Sequence, residues 1–330
     1  MPVLEVDSLA VDYRTNRGTI HAVEDVSFSL EKGETLGLAG ESGSGKSTLG
    51  LSIIRLIPYP GVIAKGRIKI VGTDILKLSE NEMRSIRGRK VAYIFQDPMT
   101  SLNPVERIGA HFMELIRTHE PNTKKEEALG RAKEILKNLG ILTERIDDYP
   151  HQFSGGMRQR IMIGLAIGLN PDLVIADEPT TALDVIVQAK ILDLLESLQE
   201  IYGMALILIS HDLSIILERC DKIIVMYAGQ MVEHASSTEL HERPKHPYTQ
   251  GLLQSIPNVE LSDQRLSAIP GSPPNMLDLP KGCRFWPRCS YAMKACSVKE
   301  PSMICVGRNH FVRCFLYSEE GTMVERSCKS

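Results

Sequence analysis

The sequence predicts an α/β fold that carries a helical insert and ends in a small cysteine-rich module. Three observations predict it. From residue 1 to about 235, short apolar strand-like runs alternate with helical patterns, the alternation that builds layered α/β cores. From about 104 to 169 the pattern turns mostly helical, with apolar residues three and four apart in "ALGRAKEILKNLGI", as in a helical insert. Beyond 235 proline becomes frequent, and Cys283, Cys289, Cys296, Cys305, Cys314 and Cys328 crowd into the tail, against Cys220 alone upstream.

The clearest strands are "ETLGLAG" (34–40), "KVAYIF" (90–95), "DLVIAD" (172–177), "ALILIS" (205–210) and "KIIVMY" (222–227). They are short, apolar and rich in β-branched residues. A boundary is expected near 235, separating residues 1–235 from a C-terminal extension, 236–330. Within the extension the sequence predicts a short helix over 247–256, a proline-rich linker to about 280, and then the cysteine module.

At 330 residues the chain exceeds a typical single domain, so two domains are expected. Hydrophobic content of 43% and charged content of 24% are those of an ordinary globular protein. A net charge of −3 gives no general electrostatic case for nucleic acid. The basic stretch "RSIRGRK" (84–90) reads as solvated surface. "MPVLEVDSLAVDY" has no basic region leading into an apolar run, so no secretory signal is expected. Apolar windows such as "IMIGLAIGL" (161–169) are about half the roughly 20 residues that span a bilayer. A soluble, cytosolic chain is expected, and cytosolic thiols are kept reduced, which weighs against a disulfide knot in the tail.

"GESGSGKST" (40–48) satisfies G-x-x-x-x-G-K-[ST] directly after an apolar strand. Glycines let consecutive N–H groups curl around phosphates, and the helix that follows presents its positive N-terminus to them. The expected phosphate contacts are Gly40, Ser42, Gly43, Ser44, Gly45, Lys46, Ser47 and Thr48. Lys46 is the cation for the β and γ phosphates and the Ser47 hydroxyl suits a Mg²⁺ ligand. In "LVIADEP" (173–179) two acids end a buried strand, at the carboxyl edge where such sheets bind ligands. Asp177 suits Mg²⁺, and Glu178 suits a general base that activates water.

The sequence around these two pieces resembles the ABC ATPases. "FSGGMRQR" (153–160) is similar to their signature motif, with Phe for the commoner Leu and Met for Gln. "IFQDP" (94–98) resembles their Q-loop, "TALD" (181–184) their D-loop, and "LISHD" (208–212) carries their switch histidine. "LAVDY" (9–13) ends in an aromatic residue suitably far ahead of the phosphate loop to stack on adenine. The resemblance implies a P-loop (RecA-like) ABC nucleotide-binding domain with a helical subdomain. It implies that Gln96 completes the Mg²⁺ shell and senses the γ phosphate, and that His211 holds that phosphate and the attacking water. Ser154, Gly155, Gly156 and Met157 then close over the ATP of a second ATPase subunit, identical or paralogous. Asp184 is the D-loop acid and Tyr13 the adenine platform.

The tail narrows the resemblance. "RPKHPYTQGLLQSIP" (243–257) and "IPGSPPNMLDLPKGCRFWPRC" (269–289) resemble the C-terminal segment of dipeptide and oligopeptide importer ATPases. What this implies is an ATP-hydrolysing subunit, peripheral on the cytoplasmic side of the membrane. It would work with transmembrane permease subunits and, indirectly, an extracytoplasmic peptide-binding protein. Nickel and oligosaccharide importers share this tail, so both stay open as alternatives. A soluble ABC ATPase acting on nucleic acid is the non-transport alternative.

Among reduced thiols, four neighbouring cysteines suggest a metal site. The separations in Cys283, Cys289, Cys296 and Cys314 are five, six and seventeen residues, unlike the two to four usual between paired structural zinc ligands. Residues alone leave iron–sulfur and Zn²⁺ both open. The family resemblance implies a 4Fe-4S cluster on those four. Cys305 and His310 are alternative ligands. A tail with little core of its own is expected to depend on the metal as a staple. Hydrolysis is expected to depend little on the tail, because every predicted nucleotide residue precedes 235.

Overall fold

The structure is a computed structural model, and it describes residues 2–97, 101–181, 183–256 and 269–318. In chain order it begins with strands β1 (Leu4–Thr15), β2 (Gly18–Leu30) and β3 (Thr35–Ala39), helix α1 (Lys46–Ile53), strands β4 (Gly61–Ile70) and β5 (Thr73–Asp74), helix α2 (Glu80–Ile86) and strand β6 (Val91–Ile94). Three helices follow: α3 (Ile108–His119), α4 (Lys125–Asn138) and α5 (Gly155–Ile167). Alternation resumes with β7 (Leu173–Asp177), α6 (Val185–Tyr202), β8 (Ala205–Ile209), α7 (Leu213–Arg219), β9 (Lys222–Tyr227) and β10 (Gln230–Ser236). The tail supplies α8 (Ser237–Glu242), α9 (Pro247–Gln254), α10 (Lys294–Val298), β11 (Ile304–Gly307) and β12 (His310–Val312). The predicted strands and the short helix near 247 appear with ends shifted by a residue or two, and the helical stretch begins at Ile108.

The chain forms two compact units. One comprises Met1–Glu5, Ser29–Glu34 and Lys69–Ile207. In it β6 and β7 pair in parallel, with Tyr93 opposite Ile175 and Ile94 opposite Ala176. Ala205 at the start of β8 donates to the Asp172 carbonyl at 2.9 Å. Every residue of β7 is buried, as expected of a parallel strand covered on both faces. The helical insert is amphipathic: Ala128, Ala132, Ile135 and Leu136 of α4 turn inward with Phe112 and Ile116 of α3. At Gly164 of α5 a side chain would collide with Leu139 and crowd Phe112, so glycine sets how closely the three helices pack.

The other unit comprises Val6–Phe28, Thr35–Ile68 and Leu208–Ser330. Its sheet runs β11-β12-β10-β9-β3. β3 and β9 are parallel, with Leu38 opposite Ile224, while β9–β10, β10–β12 and β12–β11 are antiparallel. Tail strand β12 pairs directly with β10, placing Val312 beside Glu233. The tail also shares an aromatic cluster with β9. The Tyr227 ring lies 4.6 Å from Tyr248 and 5.2 Å from Phe285, and the last two are 5.4 Å apart. All three are buried. The tail was expected to need a metal to make up for a missing core; among the described residues it also has the apolar face of β9 and an added sheet edge. Burying three aromatic side chains contributes on the order of 5 kcal/mol before entropy is counted.

Candidate functional site

The phosphate loop leaves β3, whose five residues are all buried. Gly40 has φ 144° and Gly45 φ 104°, backbone that favours glycine. A Cβ at Gly40 would strike the Met226 carbonyl, and one at Gly45 the Ala22 carbonyl. Space as well as conformation therefore demands glycine at both. Gly43, at φ 77°, faces open space. Ser44 is buried; its carbonyl accepts from the Gly229 N–H at 2.9 Å, and its own N–H reaches the Glu41 carbonyl at 3.2 Å. Lys46, also buried, donates from Nζ to the carbonyls of Gly40 (2.7 Å) and Glu41 (3.0 Å), curling the loop around its ammonium. Ser42, Gly43 and Ser47 are exposed and Thr48 half-buried. No acidic residue occupies the first turn of α1, so the helix N-terminus keeps its positive character.

Glu41 is held from the tail. Its N–H donates to the Tyr248 hydroxyl at 2.8 Å. Its carboxylate accepts two bonds from the Arg288 guanidinium, at 2.7 and 2.9 Å. In the same unit the Ser210 N–H donates to the Leu38 carbonyl at 3.2 Å. This puts the exposed His211 at the carboxyl end of the strands, the end from which the phosphate loop departs. Tyr13 is half-buried on β1, with its ring edge over Gly61.

In the other unit, Asp177 ends β7 and is buried at 7% exposure; its carboxylate accepts a 2.7 Å bond from the Tyr93 hydroxyl. Burial first, and then the Asp177 charge, push the Tyr93 phenol far above its ordinary pKa, so it stays a donor. Glu178 stands at φ 45°, which turns the chain sharply after the strand. Its carboxylate accepts from Gln96 Nε2 at 3.0 Å and Thr181 Oγ1 at 2.9 Å. Ser154 caps α5 by accepting from the Met157 N–H at 3.4 Å, and Asp184 caps α6 by accepting from the Val187 N–H at 3.0 Å. A Cβ on Gly156 would approach Val187 to 2.7 Å, and one on Gly155 would lie 3.6 Å from Leu183. The signature segment thus lies against the start of α6, and Ser154, Gly155 and Asp184 are exposed.

The tail thiols of Cys283, Cys289, Cys296 and Cys314 are free and lie within electrostatic reach of one another. Desolvation pushes Cys283 up to about 11 and Cys314 up to about 12. Among the described residues, however, no group of three His, Cys, Asp or Glu side chains is assembled closely enough to hold a metal ion. The alternative ligands have other neighbours: Cys305 Sγ lies 3.1 Å from the Gly307 carbonyl, and the buried His310 has Nε2 2.7 Å from the fully buried Glu233. Cys328 lies outside the described residues.

Residues 23–181 match the family model described as ABC transporter, and residues 232–296 the one described as oligopeptide/dipeptide transporter, C-terminal region. The oligopeptide transport ATP-binding protein OppD of Bacillus subtilis is 46% identical over 327 residues, covering 98% of this chain and 91% of that one. The chain belongs to this family. The dipeptide transport ATP-binding protein DppD of Escherichia coli is 46% identical over 305 residues, covering 92% and 93%. Among solved structures, a dimeric post-hydrolysis state of the ATP-binding cassette MJ0796 bound to ADP and Pi aligns with a TM-score of 0.63 and 28% identity, over 71% of this chain and 98% of that one. The fold is therefore that of the ABC ATPase cassette, and the chain is an ATP-hydrolysing enzyme. Sequence reasoning missed several residues in this family member. Tyr93 and Thr181 hold the acids, and Tyr248 and Arg288 hold Glu41. Tyr93 had a weak signal, three residues ahead of Gln96 on a predicted strand; Arg288 had none.

Proposed function

We infer that the chain powers the import of dipeptides or oligopeptides by hydrolysing ATP. The observation that carries this reading is the match to OppD across 98% of the chain, tail included. The glycine-lined loop and the N-terminus of α1 bind the phosphates, with Lys46 moving from the loop carbonyls to the β and γ phosphates. Ser47, Asp177 and Gln96 fit a magnesium ion chemically: an exposed hydroxyl, a carboxylate fixed by Tyr93 and an exposed amide. When bound, that ion neutralises phosphate charge. Glu178 takes a proton from the attacking water, Gln96 and Thr181 orient its carboxylate, and His211 faces the γ phosphate. Tyr13 stacks on adenine. Ser154, Gly155, Gly156 and Met157 serve the ATP of a second subunit, with Asp184 beside them; the exposure of Ser154, Gly155 and Asp184 supports this.

The partners in this reading are a second ATPase subunit, transmembrane permeases and an extracytoplasmic peptide-binding protein, with the chain peripheral on the cytoplasmic side of the membrane. Among the described residues no helix is long and apolar enough to cross a membrane. Residues 1–235 are the cassette, with its helical subdomain over about 104–169, and 236–330 the extension. The 4Fe-4S cluster on Cys283, Cys289, Cys296 and Cys314 remains a proposal. Thiol proximity supports it, and the described geometry lacks a ligating set. Iron and sulfide in matching amounts in protein purified without oxygen are expected; metal-free protein with an ordered tail overturns it. For transport, the subunit is reconstituted with its permeases and hydrolysis measured with and without peptide-loaded binding protein. Stimulation is expected, and stimulation by a nickel- or oligosaccharide-loaded binding protein instead would reassign the substrate.

A further inference from the structure

We propose that Arg288 is a positioning residue for ATP binding: by clamping Glu41 it neutralises the single carboxylate of the phosphate loop and fixes the loop from the tail. The proposal rests on the assignment of residues 40–48 to ATP phosphates. A carboxylate in a loop shaped to receive a polyphosphate opposes that ligand electrostatically, so Glu41 calls for a compensating charge. The structure supplies it in the strongest form available to a side chain, a two-pronged guanidinium–carboxylate contact at 2.7 and 2.9 Å.

The clamp is built to hold its geometry. The Arg288 side chain is only 5% exposed, against 27% for Glu41. Its Nε donates to the Pro270 carbonyl at 2.9 Å and one terminal nitrogen also reaches the Tyr227 hydroxyl at 3.3 Å. The guanidinium is thus oriented before it meets Glu41. All three polar groups of Glu41 are engaged: its N–H by Tyr248, its carbonyl by Lys46 and its carboxylate by Arg288. Two of those three partners belong to the tail. Lys46 holds the same residue that Arg288 clamps, so the loop's entry and its phosphate-binding cation share one anchor.

Arg288 also directly precedes Cys289 in the chain. Two other buried arginines repeat this arrangement. Arg284, after Cys283, reaches the Ala228 carbonyl and Glu24; Arg313, before Cys314, donates to the Met231 carbonyl at 3.2 Å. The thiol module is therefore pinned to the nucleotide-binding unit by the residues beside its cysteines, and Arg288 is the pin that reaches the phosphate loop. On this proposal ATP binding depends on the tail, against the expectation that hydrolysis depends little on it.

The test uses the full chain in four forms: parent, Arg288→Met, Glu41→Gln and the double variant. MgATP affinity, and KM and kcat for hydrolysis, are measured for each, with limited proteolysis reporting tail order. Losing the guanidinium leaves Glu41 uncompensated, so Arg288→Met should weaken MgATP binding and raise KM about tenfold with kcat little changed. Removing the carboxylate as well should bring the double variant back to within about threefold of the parent. Rescue is the deciding readout, because a guanidinium that merely kept the tail folded would not be replaced by an amide at residue 41. A double variant as weak as Arg288→Met, or an Arg288→Met protein that binds like the parent, overturns the proposal. Lys46→Ala measured alongside separates the two readings. If it binds MgATP like the parent, the loop assignment has failed; if it alone loses binding, only the role of Arg288 has.

Discussion

The acids at the end of β7 and the phosphate loop after β3 are held in opposite ways. Asp177 and Glu178 accept hydrogen bonds from Tyr93, Gln96 and Thr181, residues of their own unit that lie in or beside recognisable motifs. Glu41 takes its side-chain and N–H partners from Arg288 and Tyr248, 247 and 207 residues further along the chain. The reason is physical. A carboxylate at a strand end can be satisfied by the neighbouring strand and the turn that follows it, because parallel pairing sets Tyr93 two positions from the strand end beside it. A loop wrapped around phosphates has turned its own N–H groups inward and has few left to fix its own acid. It must be braced from elsewhere, and here the tail braces it.

The sharpest way to separate the two sides is by what their variants lose. In the proposed mechanism Glu178 is the base; Glu178→Gln removes it while keeping size and hydrogen bonding, so hydrolysis should fall by about 10²–10⁴-fold with MgATP affinity retained. Single-turnover hydrolysis alongside equilibrium binding checks this. Arg288→Met should do the reverse, raising KM while sparing kcat. A Glu178→Gln protein that turned over rapidly would remove the acid side of the comparison altogether.

Acid should loosen the tail brace. His246 is buried at the N-terminus of α9, where its Nδ1 accepts from the Tyr248 N–H at 3.0 Å, a bond only an unprotonated nitrogen can accept. Burial lowers its pKa from 6.5 to about 4, against the opposing pull of Glu233 on β10 and a hydrogen bond to the Arg313 backbone. Neutral histidine is thus favoured in the folded state, and its contribution is fully present above the unfolded value near 6.5. As pH falls from there towards about 4, the unfolded chain takes up a proton that the folded chain refuses, and roughly 3 kcal/mol of stability is lost. His246→Asn keeps a capping oxygen without the titration, so its unfolding midpoint should fall less across that window than the parent's. Equal acid sensitivity in both proteins would show that the brace does not titrate through His246.

The same contrast explains how much could be read in advance. Backbone requirements are local: Gly40 and Gly45 are needed because their φ angles and the carbonyls of Met226 and Ala22 leave no room for a side chain, and the motif states as much. Buried strands such as β7 announce themselves as apolar runs. The Arg288–Glu41 pair announces nothing, because both residues look like ordinary surface charge until folding buries the guanidinium. The thiols drew attention from a second source of order for a related reason. Cysteine count and spacing suggested a module stapled by metal, whereas Tyr227, Tyr248 and Phe285 supply a shared core that residue counting within the tail leaves out.

The smallest expected effect tests how far Tyr93 alone holds Asp177. Tyr93→Phe removes one hydroxyl and leaves the ring, so packing against Phe95, whose centroid is 4.8 Å away, should survive. What is lost is a single donor to a buried carboxylate, a hydrogen bond to a charged group worth about 1.5–3 kcal/mol. Part of that returns as water reaches Asp177, so hydrolysis should drop by about tenfold or less. The signature is the metal dependence. If Asp177 holds magnesium as proposed above, a carboxylate no longer fixed by Tyr93 has to be ordered on binding, so half-maximal activity should need more Mg²⁺, while affinity for ATP in the absence of Mg²⁺ stays at the parent's value. Titrating Mg²⁺ against hydrolysis in the two proteins decides it. A parallel loss of metal-free ATP binding would mean that Tyr93 supports the phosphate loop as well, and the division between locally held acids and a remotely braced loop would no longer hold.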